Sequence, residues 1–362
     1  MIGDVIKVFA PTAVNAAKVI VPFAVAFVIG IIIAVPIYKF LHRKQLWKKK
    51  ARTHGLGDNN GTPIFHQLHK LKETNTPRMG GIVIWLSVLL TIFLFWFLSK
   101  VYPGGITQKM NFLSRNQTWL PLFTLIAASF VGLIDDIFVV KGRGKYIAGG
   151  LSLTERIIAV LIIGAMGGWW FYTKLGFSSL TVPFLGTFDM GILTIPLFMV
   201  VAVTLFAGGV IDGIDGLSGG VMASIFAGYA GIAFFQDQID LAAFSLVLSG
   251  ATMAFLWYNI PPAKFYMSET GMLGLTVTLA VIAFLTRQIP VLLIIALPLF
   301  VTVAVNVIQV ASKKFRGKKV FLVAPLHHHF EAKGWPGPMV TMRYWIVSIM
   351  CALVGMVIAV LG

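Results

Sequence analysis

The sequence predicts an all-α, polytopic integral membrane protein with about ten transmembrane helices, forming a single domain over residues 1–362. Three observations predict it. Of the 362 residues, 58% are hydrophobic and only 12% charged, and the mean hydropathy is +0.88, far above a soluble domain. Apolar runs of about 20 residues, the length that crosses a bilayer core, recur along the whole chain. Finally, the 29 Lys and Arg, set against 13 Asp and Glu, collect in the connections between alternate runs, as basic loops held on one side of a membrane do.

In chain order the runs lie near 18–39, 80–101, 118–134, 154–173, 191–208, 217–235, 240–258, 270–286, 289–311 and 342–361. The first reaches spanning length with no small-residue cleavage site behind it, so it is expected to be a retained helix. The very short connections within 191–235 and 270–311 leave counts of nine or eleven open. Cys351 is the one cysteine, which excludes a disulfide framework and a Cys-based metal site.

With ten spans, the connections 39–79, 135–156, 209–216, 259–269 and 312–343 share one side and carry 22 of the 29 basic residues. That side is expected to be cytoplasmic, with both termini outside. The loops themselves are placed near 40–79, 135–153, 209–216, 259–269 and 312–341. The positive charge is split among membrane-proximal loops rather than gathered on a soluble domain, which argues against a nucleic-acid partner and for contact with anionic lipid heads.

The unusual polar clusters fall on the same side. Asp135-Asp136 closes the third run, Asp212 and Asp215 lie in G-G-V-I-D-G-I-D-G-L-S-G-G, Asn259 ends the seventh run, Glu269 precedes the eighth, and His327-His328-His329 precede the tenth. Taken singly, each has an ordinary structural explanation. The Asp pair can be a solvated helix end, the D-G-I-D carboxylates turn residues, Asn259 and Glu269 helix-end groups, and the histidines a surface run. Together they say more. Converging carboxylates repel unless a cation sits among them, and hard oxygen ligands favour Mg²⁺, which shares its shell with water and substrate phosphates. Basic loops nearby attract an anionic substrate, so the expected chemistry is on phosphate.

The motifs T-P-R-M-G-G at 76–81, D-D at 135–136, D-G-I-D-G-L at 212–217, F-L-W-Y-N at 255–259 and A-P-L-H-H-H-F-E at 324–331 together resemble the phospho-N-acetylmuramoyl-pentapeptide-transferase family over nearly the whole chain. The triple histidine followed by an acidic residue is the most specific of them. The resemblance implies ten helices in a bacterial inner membrane and a cytoplasm-facing cleft. It implies Mg²⁺ and transfer of phospho-MurNAc-pentapeptide from its UDP ester to undecaprenyl phosphate, releasing UMP, as a step of peptidoglycan synthesis. Homologues are commonly described as homodimers. Residue by residue, it implies catalytic roles for Asp135, Asp136, Glu269 and His328. Asn259, Asp212, Asp215, Tyr266, His327, His329 and Arg156 would bind substrate, with Tyr266 stacking on the uracil that Asp215 meets. Glu269, Asp212 and Asp136 would hold the metal.

Four departures from the family pattern stand out. Ser268-Glu269 replaces a usual Gly-Asp step, Gly209 a usual asparagine, Val139 a usual lysine, and Thr74 another lysine, with Lys72, Lys141, Arg143 and Lys145 close by. Competing readings are a relative using UDP-N-acetylglucosamine, a catalytically impaired relative, and a transporter, which would carry its acidic residues near mid-membrane in broken helices.

Overall fold

The computed structural model describes residues 2–48, 75–143 and 150–362, with side chains from Thr12 onward. Lys72, Thr74 and Lys145 lie outside the described residues. Among those described, ten helices are long and apolar enough to cross a membrane, which makes the chain an all-α, multi-pass membrane protein.

In order the helices are α1 (Ile2–Arg43), α2 (Ile82–Val101), the short α3 (Gly105–Met110), α4 (Trp119–Val140), α5 (Leu153–Lys174), α6 (Thr194–Gly208), α7 (Leu217–Phe235), α8 (Ile239–Asn259), α9 (Ser268–Leu285), the short α10 (Ile289–Ile295), α11 (Leu297–Arg316), the short α12 (Leu326–Ala332) and α13 (Gly337–Leu361). Two strands, β1 (Ser179–Val182) and β2 (Gly186–Asp189), form an antiparallel hairpin between α5 and α6, with Ser179 opposite Asp189. The sequence pattern does not predict the hairpin, because its turn Pro183-Phe184-Leu185 is as apolar as the helices beside it.

Burial grades the helices by position. The most apolar stretch of α9 is 89% buried, whereas that of α13 is only 17% buried. α9 is therefore the central element; it packs on α4, while α8 packs on both α1 and α7. Small residues allow such contacts where lipid supplies no hydrophobic force to drive helices together.

Four sequence placements are corrected. Asp135 and Asp136 do not end the third helix: α4 continues to Val140, so the pair points into the bundle from its last two turns. The ninth run is not one helix but α10 and α11, broken at Ala296. Pro298 lies just inside α11 and lacks the N–H that a continuous helix would need there. The connection placed at 312–341 contains the end of α11 and all of α12, and the last span starts at Gly337. Glu269, read as a loop residue, stands in the first turn of α9.

Candidate active site

At the end of α9 that begins with Ser268, side chains from four segments close on the first turn of the helix. The first N–H groups of any helix lack intrahelical partners and carry partial positive charge, so acceptors are needed there. Two carboxylates from elsewhere in the chain supply them. Asp136 Oδ2 accepts from the Thr270 amide at 2.9 Å and the Thr270 hydroxyl at 2.6 Å. Asp212 Oδ2 accepts from the Ser268 amide at 2.9 Å, and its Oδ1 from the Ser218 hydroxyl at 2.6 Å.

The backbone approaches closely enough for this only because glycines line the contact. A side chain on Gly132 of α4 would collide with the carbonyl of Glu269, and one on Gly81 with the backbone of Gly271. The segment before α2 runs alongside, its Gly80 amide donating to the Tyr266 carbonyl at 2.8 Å and Pro77 accepting from the Tyr266 amide at 2.8 Å. Arg78 is thereby aimed at Asp136, whose Oδ1 receives Nε at 3.1 Å and Nη2 at 3.0 Å. Burial opposes the charge on Arg78, but Asp136, helped by Glu269 and Asp212, more than offsets this and raises the guanidinium pKa. Asp136 is fully buried, and both its oxygens are satisfied.

Arg156 plays the matching part from α5. Ser152 and Glu155 form a capping box, Glu155 Oε2 accepting from the Ser152 amide at 2.7 Å and Ser152 Oγ from the Glu155 amide at 3.2 Å. This arrangement fixes the entry into the helix. Arg156 follows directly and bridges two carboxylates: Nη1 donates to Glu269 Oε1 at 2.7 Å, and Nη2 lies 3.3 Å from Asp135 Oδ2. Asp135 Oδ1 accepts from the Leu151 amide at 2.6 Å. Its Oδ2 is buried and has Arg156 Nη2 as its ion-pair partner, with no hydrogen bond in addition.

The remaining motif residues assemble beside this cluster. Asn259 spends both ends of its amide on the backbone, Oδ1 accepting from Gly216 N at 2.9 Å and Nδ2 donating to Phe265 O at 2.8 Å. It clips the D-G-I-D turn to the loop that carries Tyr266. Asp215 Oδ2 accepts from Ala263 N at 3.4 Å, and its carbonyl accepts from Thr341 Oγ1 at 3.1 Å. The histidines stand on α12, where successive side chains fan out at about 100°. His327 and His328 are buried and pack over Gly213 so tightly that a side chain there would meet both rings. His328 Nδ1 pairs with Glu331 Oε2 at 2.7 Å. His329 turns away, its Nδ1 accepting from Leu322 N at 3.2 Å; burial first, and then Lys333, lower its pKa.

Four carboxylates thus face two guanidinium groups, an excess of two negative charges if all are ionised. Among the described residues, no three His, Cys, Asp or Glu are gathered closely enough to form a metal cage by themselves. Such a set suits a cation that takes one or two carboxylates and completes its shell with water and phosphate oxygens, as Mg²⁺ does. Asp212 is half-buried; burial raises its pKa, while the Ser218 and Ser268 hydrogen bonds hold it down, with a net rise.

The profile of Glycosyl transferase family 4 matches residues 118–287, which takes in α4 through α9. A phospho-N-acetylmuramoyl-pentapeptide-transferase of Geobacillus thermodenitrificans (strain NG80-2) is 35% identical over 349 residues, covering 94% of this chain and 98% of its own length. The transferase of the same description from Clostridium botulinum (strain Eklund 17B / Type B) is 31% identical over 98% of this chain and 99% of its own. The chain belongs to the phospho-N-acetylmuramoyl-pentapeptide-transferase family.

Membership gives the departures a structural meaning. Ser268, which stands where the family usually has glycine, adopts φ +57°, a left-handed conformation that costs a non-glycine residue about 1–2 kcal/mol. The turn aims its amide at Asp212, so the conformation is kept despite the side chain. Val139 is buried and contributes no charge; Arg156 and Arg78 supply the cations that face the Asp pair. Motif reading quoted Arg78 but gave it no role, and it missed Thr270 and Ser218 altogether. The available signal was small: a cation inside an otherwise uncharged motif, and hydroxyls one residue from Glu269 and six from Asp212.

Proposed function

We propose that the chain transfers phospho-MurNAc-pentapeptide from UDP-MurNAc-pentapeptide to undecaprenyl phosphate, releasing UMP, at the cytoplasmic face of a bacterial inner membrane, with both termini outside. The observation that carries the reading is the cluster of four carboxylates and two guanidiniums at one helix end, in a chain of this family. In the reaction an oxygen of the lipid phosphate attacks the phosphorus next to the sugar. The bond from that phosphorus to the bridging oxygen breaks, and UMP leaves with the electron pair.

Asp135, buried and ion-paired with Arg156, is the group that accepts a proton from, or orients, the attacking phosphate. Arg156 holds Asp135 and Glu269 apart from each other and compensates both. Glu269 and Asp212 are the residues to hold Mg²⁺, which when bound neutralises phosphate charge. Asp136, the third metal candidate, also positions the first turn of α9, its oxygens accepting from Arg78 and Thr270 as those of Asp212 accept from Ser218 and Ser268. Asn259 likewise acts by holding the D-G-I-D turn. Asp215 and Tyr266 lie on the two loops that Asn259 joins and are assigned to the uracil. His327, His328 and His329 are assigned to the sugar-phosphate region, with Glu331 fixing the ring of His328.

The test is UMP release by the purified chain. It is expected to require undecaprenyl phosphate, UDP-MurNAc-pentapeptide and Mg²⁺ together, and to fall at least 10³-fold, roughly, in Asp135→Asn. Normal nucleotide binding without UMP release would instead assign a catalytically impaired relative, a reading favoured by the side-chain-free Gly209 and by the tight pairing of Glu269 with Arg156. Release of UMP from UDP-N-acetylglucosamine would reassign the donor.

A further inference from the structure

One charged surface lies apart from the carboxylate cluster. The end of α11 and the residues after it read Lys313-Lys314-Phe315-Arg316-Gly317-Lys318-Lys319, five cations in seven positions, and no Asp or Glu occurs between residues 270 and 330. Lys314, Arg316, Lys318 and Lys319 are all exposed. Phe315 sits among them at 79% exposure, with Val320 and Leu322 half exposed beside it. The Lys314 ammonium lies 5.6 Å from the centre of the Phe315 ring.

This surface is built rather than trailing. Gly317, at φ +64°, ends α11 in a left-handed turn, and the chain folds back along the helix. The buried Gln309 holds the returning strand: its Oε1 accepts from Val320 N at 3.1 Å and Phe321 N at 3.0 Å, and its Nε2 donates to Phe321 O at 3.0 Å. Ser312 Oγ donates to the Lys318 carbonyl at 2.9 Å. The cations are thus presented on a folded lobe at the end of a helix long and apolar enough to cross a membrane, and the end of a spanning helix is where headgroups lie. A topology signal needs the charge alone. It needs neither the buried amide lock nor a phenylalanine held out among the cations. Like charges crowded together, with an aromatic ring left in solvent, are unfavourable in water and favourable where anionic headgroups meet acyl chains.

We propose that residues 314–322 form a docking surface for the anionic glycerophospholipid headgroups of the adjacent leaflet, the cations taking the phosphates and Phe315 entering between the chains. The lobe is joined to the histidine helix by the hydrogen bond from Leu322 N to His329 Nδ1 and by the edge contact of the Phe321 and His329 rings, 5.7 Å between centres. Lipid on the lobe therefore steadies α12. The proposal does not depend on the transferase reading.

The experiment places the full-length protein in nanodiscs of phosphatidylcholine containing phosphatidylglycerol, re-extracts it in mild detergent, and measures the two lipids retained. The wild type is expected to retain phosphatidylglycerol preferentially. Each cation removed is expected to lower the preference about fivefold, so that Lys314→Gln/Lys318→Gln/Lys319→Gln abolishes it. Phe315→Ser is expected to weaken retention with no change of charge. An equal change at the exposed Lys39, Arg43 and Lys44, each to Gln, is expected to lower the preference far less than the lobe set, because those cations have no folded lobe or exposed phenylalanine of this kind to hold a headgroup. Thermal melting of each variant at the wild-type temperature verifies that the exposed substitutions leave the fold intact. The proposal is overturned if the Lys39 set reduces retention as much as the lobe set, if the lobe set keeps the wild-type preference, or if low-millimolar inorganic phosphate displaces the lipid.

Discussion

The two ends of α9 satisfy the same backbone requirement with opposite chemistry. At the Thr286 end, where carbonyls need donors, neutral groups suffice: Gln236 Nε2 donates to Thr286 O at 3.0 Å, Gln238 Nε2 to Leu285 O at 3.2 Å, and the Tyr229 hydroxyl to Gln288 O at 3.0 Å. At the Ser268 end, where amides need acceptors, the chain uses Asp136 and Asp212, then surrounds them with Arg78, Arg156, Asp135 and Glu269. A serine or asparagine would cap a helix there at far lower desolvation cost. Capping therefore accounts for the neutral end but not for the charged one. Under the proposed function, the surplus charge serves what the site binds.

The sharpest way to break this comparison is to remove one side of a buried pair at the charged end. Asp136→Ala removes the carboxylate to which the half-buried Arg78 hydrogen-bonds and is expected to cost about 3 kcal/mol, read as a large drop in melting temperature in detergent. The double variant Asp136→Asn/Arg78→Met should recover much of that loss; equal instability of the two would mean that the pair is not the cause. At the neutral end, Tyr229→Phe is expected to cost only about 1 kcal/mol and to leave the affinity for UDP-MurNAc-pentapeptide unchanged, which calorimetric titration would reveal. A smaller effect of opposite sign is expected from Ser268→Gly. Relief of the left-handed strain outweighs the added chain entropy, so melting should rise by the equivalent of at most about 1 kcal/mol. A fall would mean that the serine side chain holds the turn.

The smallest effect is a pH slope. The Asp212 carboxyl has a raised pKa in the fold, so between the ordinary carboxylate value and the Asp212 value the native state binds more protons than the unfolded one. Stability from this group therefore falls as pH rises through that window and is constant above it. Melting curves of the wild type against Asp212→Asn across the acid range should differ in slope in that direction, and no slope of this kind is expected from the neutral end.

The ten spans were legible because bilayer thickness alone sets the length of an apolar run. The Asp pair, the D-G-I-D turn, Asn259 and the histidines were legible as a set because they recur as fixed motifs. The break at Ala296 was not: Pro290 and Pro298 each suit a first helical turn, and apolar composition continues through both. The hairpin at 179–189 was hidden by its own hydrophobicity.

What composition and local pattern determined by themselves is therefore the class of molecule, the number of crossings and the residue types available for phosphate chemistry. Each depends on short-range chemistry and on the solvent around the segment. Which groups meet was decided only in three dimensions. Arg78 reaches Asp136 across 58 positions, Thr270 reaches it across 134, and Arg156 reaches Glu269 across 113. Those encounters follow from how closely α2, α4 and α9 approach, through glycines whose value lies in the neighbour they admit. Packing set Asp136 between Arg78 and Thr270 and Asp135 between Leu151 and Arg156, because the partners of a carboxylate are those the fold brings within reach.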